Sequence, residues 1–73
     1  MFVLAVRRSG AAWYVDDPTR RPHGPFKTEG EALRLAVERA PALGEGTSVL
    51  RSPNDRVWHE FWRVGSPPPE FPD

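Results

Sequence analysis

A small α+β domain, with an antiparallel sheet from two β-hairpins packed on one helix, follows from three features of the sequence. Short apolar, β-prone runs occur in pairs around turn residues. One capped segment with helical periodicity lies between the pairs. The chain has 73 residues, which suits a single domain near the lower size limit for a self-supporting core.

The first pair is Phe2-Val3-Leu4-Ala5-Val6 and Ala11-Ala12-Trp13-Tyr14-Val15. Arg7-Arg8-Ser9-Gly10 separates them, and Ser-Gly is hairpin chemistry. Alternation places Trp13 and Val15 on one face with Phe2, Leu4 and Val6, and Tyr14 and Asp16 on the other. Residues 17–25 hold three prolines and a glycine and are predicted to form an irregular loop. Thr28 and Glu31 then form a capping box. Leu33, Ala36, Val37 and Ala40 follow at helical spacing. A helix over residues 29–40 is expected, ended by Pro41. Residues 47–51 read as a strand, and Pro53 at the second position of Ser52-Pro53-Asn54-Asp55 suits a type I turn.

Val57-Trp58-His59-Glu60-Phe61-Trp62-Arg63 admits two readings. As a strand it completes a hairpin with residues 47–51, favoured by its Val, Trp and Phe content. As a helix over residues 53–63 it would gather positions 57, 58, 61 and 62 on one face. The strand is preferred, because Val49-Leu50 needs a neighbour. The predicted core is Phe2, Leu4, Val6, Trp13, Val15, Phe26, Leu33, Ala36, Val37, Ala40, Val49 and Phe61. The domain is drawn over residues 1–64, with residues 65–73 as a mobile proline-rich tail of polyproline II character.

The string Trp13-x-Val15, Phe26-x-Thr28-x-x-Glu31-Ala32, Ala36, Ala40, Val49 and Val57 resembles a family of small bacterial proteins of unknown function. That family has a ββαββ pattern and a W-x-V…F-x-T-x-x-E-A signature. The resemblance covers residues 11–60 and implies the fold; the family carries no assigned activity, so it implies nothing about chemistry.

Composition narrows the function. The chain has no cysteine and two histidines, His23 and His59. Disulfides are therefore excluded, and neither a zinc site nor any other metal or cofactor is expected. His59-Glu60 would face apart on a strand, as would Asp16 and Asp17. No serine has a base and orienting group nearby in a recognisable pattern. A non-catalytic protein is expected. No apolar run approaches the roughly 20 residues that span a bilayer, and a cytoplasmic location is expected, with no membrane partner.

Ten basic residues balance ten acidic ones, which counts against a generic nucleic-acid binder. Arg7, Arg8, Arg20 and Arg21 nonetheless cluster early in the chain. Nucleic-acid binding, with aromatic stacking beside that basic patch, is the second reading. The first is binding to another protein, or to a second copy. If Phe61 faces the helix, Trp58 and Trp62 join Tyr14 on the open sheet face beside Arg63, residue types that anchor interfaces. A small regulator docking on a large complex such as RNA polymerase would be a specialised form of that reading.

Overall fold

A computed structural model describes residues 2–52 and 56–72. The predicted type I turn falls on residues 53–55 and lies outside the described residues. The elements are β1 (Val3–Ser9), β2 (Ala12–Asp16), β3 (His23–Phe26), α1 (Glu29–Leu43), β4 (Ser48–Arg51) and β5 (His59–Arg63). The strands form one sheet in the order β3-β2-β1-β4-β5, with α1 packed against β1, β2, β4 and β3. The α+β class holds. The finer arrangement differs, since the element order is βββαββ and the sheet is mixed.

The mixed sheet has a simple cause. β1, β2 and β3 pair antiparallel in sequence order, so β3 runs in the same direction as β1. A helical crossover preserves strand direction, and α1 therefore returns the chain as β4, parallel to β1, with Leu4 opposite Val49. β5 folds back antiparallel on β4 as the outer strand. The predicted hairpins are both present, but they are joined through a parallel pair.

The expected loop over residues 17–25 is shorter than predicted, because residues 23–26 form β3. Proline is compatible with a strand only at a sheet edge, where its missing N–H faces away from the ladder. β3 is such an edge and carries Pro25. Gly24 has φ +139°, and a Cβ there would stand 2.8 Å from Tyr14 Cδ1 and 2.9 Å from the Trp13 carbonyl oxygen. Only glycine lets the edge strand pass so close to β2.

The helix begins as the capping box predicts. Thr28 has extended backbone angles, and its hydroxyl accepts from the Glu31 N–H at 3.2 Å. Glu29 and Glu31 lie in the first turn, where the helix dipole favours acids. Its end is later than expected: Pro41 lies inside the last turn, and the Gly44 N–H bonds the Pro41 carbonyl at 3.2 Å. Proline removes one hydrogen bond there without stopping the helix, and Leu43 is carried onto the core.

Leu4, Val6, Val15, Ala32, Leu33, Ala36, Ala40 and Val49 are fully buried. Trp13, Phe26, Val37 and Phe61 pack around them half-buried. Phe2 is a correction: it precedes β1 and is 38% exposed. Ala32 belongs to the core although it lies outside the Leu33-Ala36-Val37-Ala40 stripe. Its small side chain suits the close approach of helix to sheet.

Candidate functional site

The face of the sheet opposite α1 is set by the register. With Leu4, Val6, Val15 and Val49 turned to the helix, Val3, Ala5, Arg7, Tyr14, Asp16, Ser48 and Leu50 turn the other way. Opposite residues on paired strands share a face, so Glu60, opposite Leu50, and Arg63, opposite Ser48, complete the open face. Its charges are matched locally. Arg7 Nε donates to Asp16 Oδ2 at 2.8 Å and the guanidinium stacks 5.2 Å from the Tyr14 ring centre. Glu60 Oε1 accepts from Ser48 Oγ at 2.7 Å and from Arg63 Nε at 2.9 Å. Those bonds, Ser48 first and then Arg63, hold the Glu60 carboxyl below its ordinary range.

The proposed aromatic patch is divided by β5. Tyr14 and Arg63 stand on the open face, but Trp62 is opposite Val49 and packs against the core. A register shift between Val49 and Leu50 makes Phe61 the extra residue of a β-bulge. Strict alternation would turn Phe61 and Trp62 apart; the bulge lets both pack on the helix side. Trp58 precedes β5 and is 42% exposed, beside Val57 at 50%. Expecting Trp58 and Trp62 together on the open face is thus corrected by one extra residue.

A recess of about 330 Å³ is lined by Arg51, His59, Glu60 and Phe61. Arg51 stacks 5.7 Å from the Phe61 ring centre and pairs with Glu29 at the start of α1. The recess is open, and it brings a cation, an imidazole, a carboxylate and an aromatic ring within reach of one ligand.

Within the tail drawn over residues 65–73, the described residues make two side-chain attachments to the domain. Trp62 Nε1 donates to the Pro67 carbonyl at 2.9 Å. Phe71 packs against the core, with its ring centre 5.8 Å from that of Phe61 and the Arg34 guanidinium 4.8 Å above it. Proline-rich composition foretold the lack of regular structure, and overlooked that Phe71 offers a ring for the helix and β5 to cover.

A second polar cluster was not foreseen. Asp17 has a side chain with no exposure. Its Oδ2 accepts from Arg39 Nε at 2.8 Å and from His23 Nε2 at 3.0 Å. Its Oδ1 accepts from the Thr19 N–H at 2.9 Å and the Thr19 hydroxyl at 2.8 Å. Burial alone would raise this carboxyl. The bonds from His23, Arg39 and Thr19 outweigh it and hold Asp17 well below the ordinary carboxylate range. An ionised carboxylate only accepts, so His23 presents its Nε2 proton to it. With four donors on two oxygens, Asp17 has little capacity left for a ligand; it ties the loop and β3 to α1. The signal in the sequence was the Asp-Pro-Thr turn, whose aspartate caps its own loop.

The basic cluster is dispersed in role. Arg7 is paired with Asp16, and Arg8 lies 6.0 Å from the Trp13 ring centre with its Nε on the Gly10 carbonyl. Arg20 and Arg21 are exposed in the loop before β3. Among the described residues no group of three His, Cys, Asp or Glu side chains could hold a metal ion, and no helix is long and apolar enough to cross a membrane. The chain matches no protein-family model, no curated protein and no solved structure.

Proposed function

We propose that this chain is a non-catalytic protein-binding module whose contact surface centres on Trp58. The observation that supports it most is the exposure of Trp58 and Val57 side by side, adjoining His59 and the recess it lines with Arg51, Glu60 and Phe61. Trp58 keeps 42% of its surface exposed, and tryptophan and arginine are residue types that commonly anchor interfaces. The open sheet face, with Tyr14 and Arg63, extends the surface as a polar rim whose charges are already oriented by their own pairs. A partner with an apolar centre and a polar border fits this arrangement. The nucleic-acid reading has less support, since Arg7 is paired with Asp16 and Arg8 bonds the Gly10 carbonyl, which leaves it Arg20 and Arg21 in the loop before β3.

The test is an affinity capture from the source cell with the wild-type chain and Trp58→Ala in parallel. A protein retained by the wild type and lost by the variant, with thermal unfolding unchanged, is the expected result. Equal capture by both chains, or salt-sensitive recovery of nucleic acid in place of a protein, would overturn the reading.

A further inference from the structure

The helix-side surface of β5 is covered largely by the chain's own tail, and the manner of that covering has a recognisable chemistry. α1 rests on β1, β2, β4 and β3, which leaves Phe61 and Trp62 at the margin of its footprint. Residues 67–72 fill the gap without forming a strand or helix. After Ser66, whose N–H bonds the Arg63 carbonyl, no backbone-to-backbone hydrogen bond holds the tail among the described residues. Its attachment is the indole bond to the Pro67 carbonyl and the placement of Phe71 between Phe61 and Arg34.

These two anchors answer the particular needs of a proline-rich segment. Successive prolines supply carbonyl acceptors and no N–H donors, so they cannot satisfy one another. An indole N–H is a donor only, and aromatic grooves recognise extended proline-rich peptides by this complementarity. Pro69, Phe71 and Pro72 are half-buried while Pro67, Pro68 and Glu70 are exposed. The segment thus turns one edge to the groove, as a docked peptide does.

We infer that the groove formed by Phe61, Trp62 and Arg34 is a recognition site for a proline-rich segment of another protein, bearing an aromatic residue four positions after its anchoring proline, and that residues 67–72 occupy it in cis. The segment already seated there defines the ligand class. A tethered ligand competes at an effective concentration of about millimolar, so the tail sets a threshold that an outside segment must exceed. This site does not include Trp58, although Phe61 borders both it and the recess, and it goes beyond the function proposed above.

The test uses the full chain and a synthetic peptide, Gly-Ser-Pro-Pro-Pro-Glu-Phe-Pro-Asp, identical to residues 65–73. The Trp62 indole N–H resonance reports occupancy. Phe71→Ala, which releases the tail and keeps the groove, should bind the peptide saturably, with the wild type needing at least about tenfold more. Pro68→Gly, at an exposed position, loosens the tail without touching the groove and should shift the titration in the same direction by less, so the outcome stands even if Phe71→Ala folds poorly. A peptide with alanine in place of its phenylalanine should not bind. Trp58→Ala should bind peptide unchanged, which separates this site from the Trp58 surface. No indole response in either tail variant at millimolar peptide, or equal binding of the alanine peptide, would overturn the site. Concentration-dependent dimers of the wild type, abolished by Phe71→Ala, would overturn the choice of another protein as occupant in favour of a second copy.

Discussion

The two edges of the sheet are fastened to the rest of the molecule by opposite means. β3 is held through Asp17, a carboxylate removed from water and given four donors from its own loop, β3 and α1. β5 is held on its helix side by rings and by a tail with a single indole hydrogen bond. The first attachment is dense and directional, and it has no remaining valence for a visitor. The second is apolar and adaptable, and its occupant is a segment without regular structure. A buried ionic clamp secures an edge, whereas an aromatic groove leaves one exchangeable. That contrast is the reason both proposed binding surfaces lie at the β5 end.

The largest expected effect breaks the β3 edge. Asp17→Asn removes the charge and keeps one acceptor oxygen of two. An amide NH2 must then face either the Thr19 donors or those of Arg39 and His23, and the change should cost about 3 kcal/mol in urea unfolding. A loss below about 1 kcal/mol would reduce the clamp to an ordinary surface pair. Acid should sharpen the same point. The Asp17 carboxyl is depressed in the folded chain, so its contribution is complete above the unfolded value of about 3.9 and is lost as pH falls from there toward the lower folded value. Wild type and Asp17→Asn should therefore differ equally at pH 7 and pH 5 and converge below about pH 4. A gap still undiminished at pH 2 would show that the charge is not its source.

Effects at the other edge should be smaller. Phe71→Ala removes a half-buried ring and should cost about 1 kcal/mol, with a coupling of about 0.5 kcal/mol to Arg34 in a double-mutant cycle. A cost as large as that of Asp17→Asn would erase the distinction between the edges. Trp58→Ala should change stability by no more than about 0.5 kcal/mol; calorimetry showing a loss of several kcal/mol would make Trp58 a core residue and remove it from the contact surface.

Local signals in the sequence carried most of the elements. The capping box, the Leu33-Ala36-Val37-Ala40 stripe and the alternation in β1 and β2 depend on neighbours a few residues away, and the structure has them where the pattern puts them. What escaped depends on partners distant in the chain. β3 is a strand because β2 lies beside it, not because His-Gly-Pro-Phe favours extension. The bulge at Phe61 exists only in the register with β4, and it decided the face of Trp62. Asp17 looked like turn chemistry because Arg39, which completes its burial, comes a whole helix later. Candidate contact residues were legible as residue types, from the surplus of rings in 57–62, and illegible as a surface until that register was known.

The parallel pairing of β1 with β4 also orders events in time. β1 sits at the centre of the sheet, with β2 and β3 able to close on it by short-range turns, while its other flank waits for a strand on the far side of the helix. Until β4 arrives, the ladder groups beside Leu4 and Val6 form an open strand edge, the kind of template on which chains aggregate. Non-local pairing of this sort slows folding. During synthesis, the central strand of this sheet keeps one flank open until the chain beyond the helix has been made.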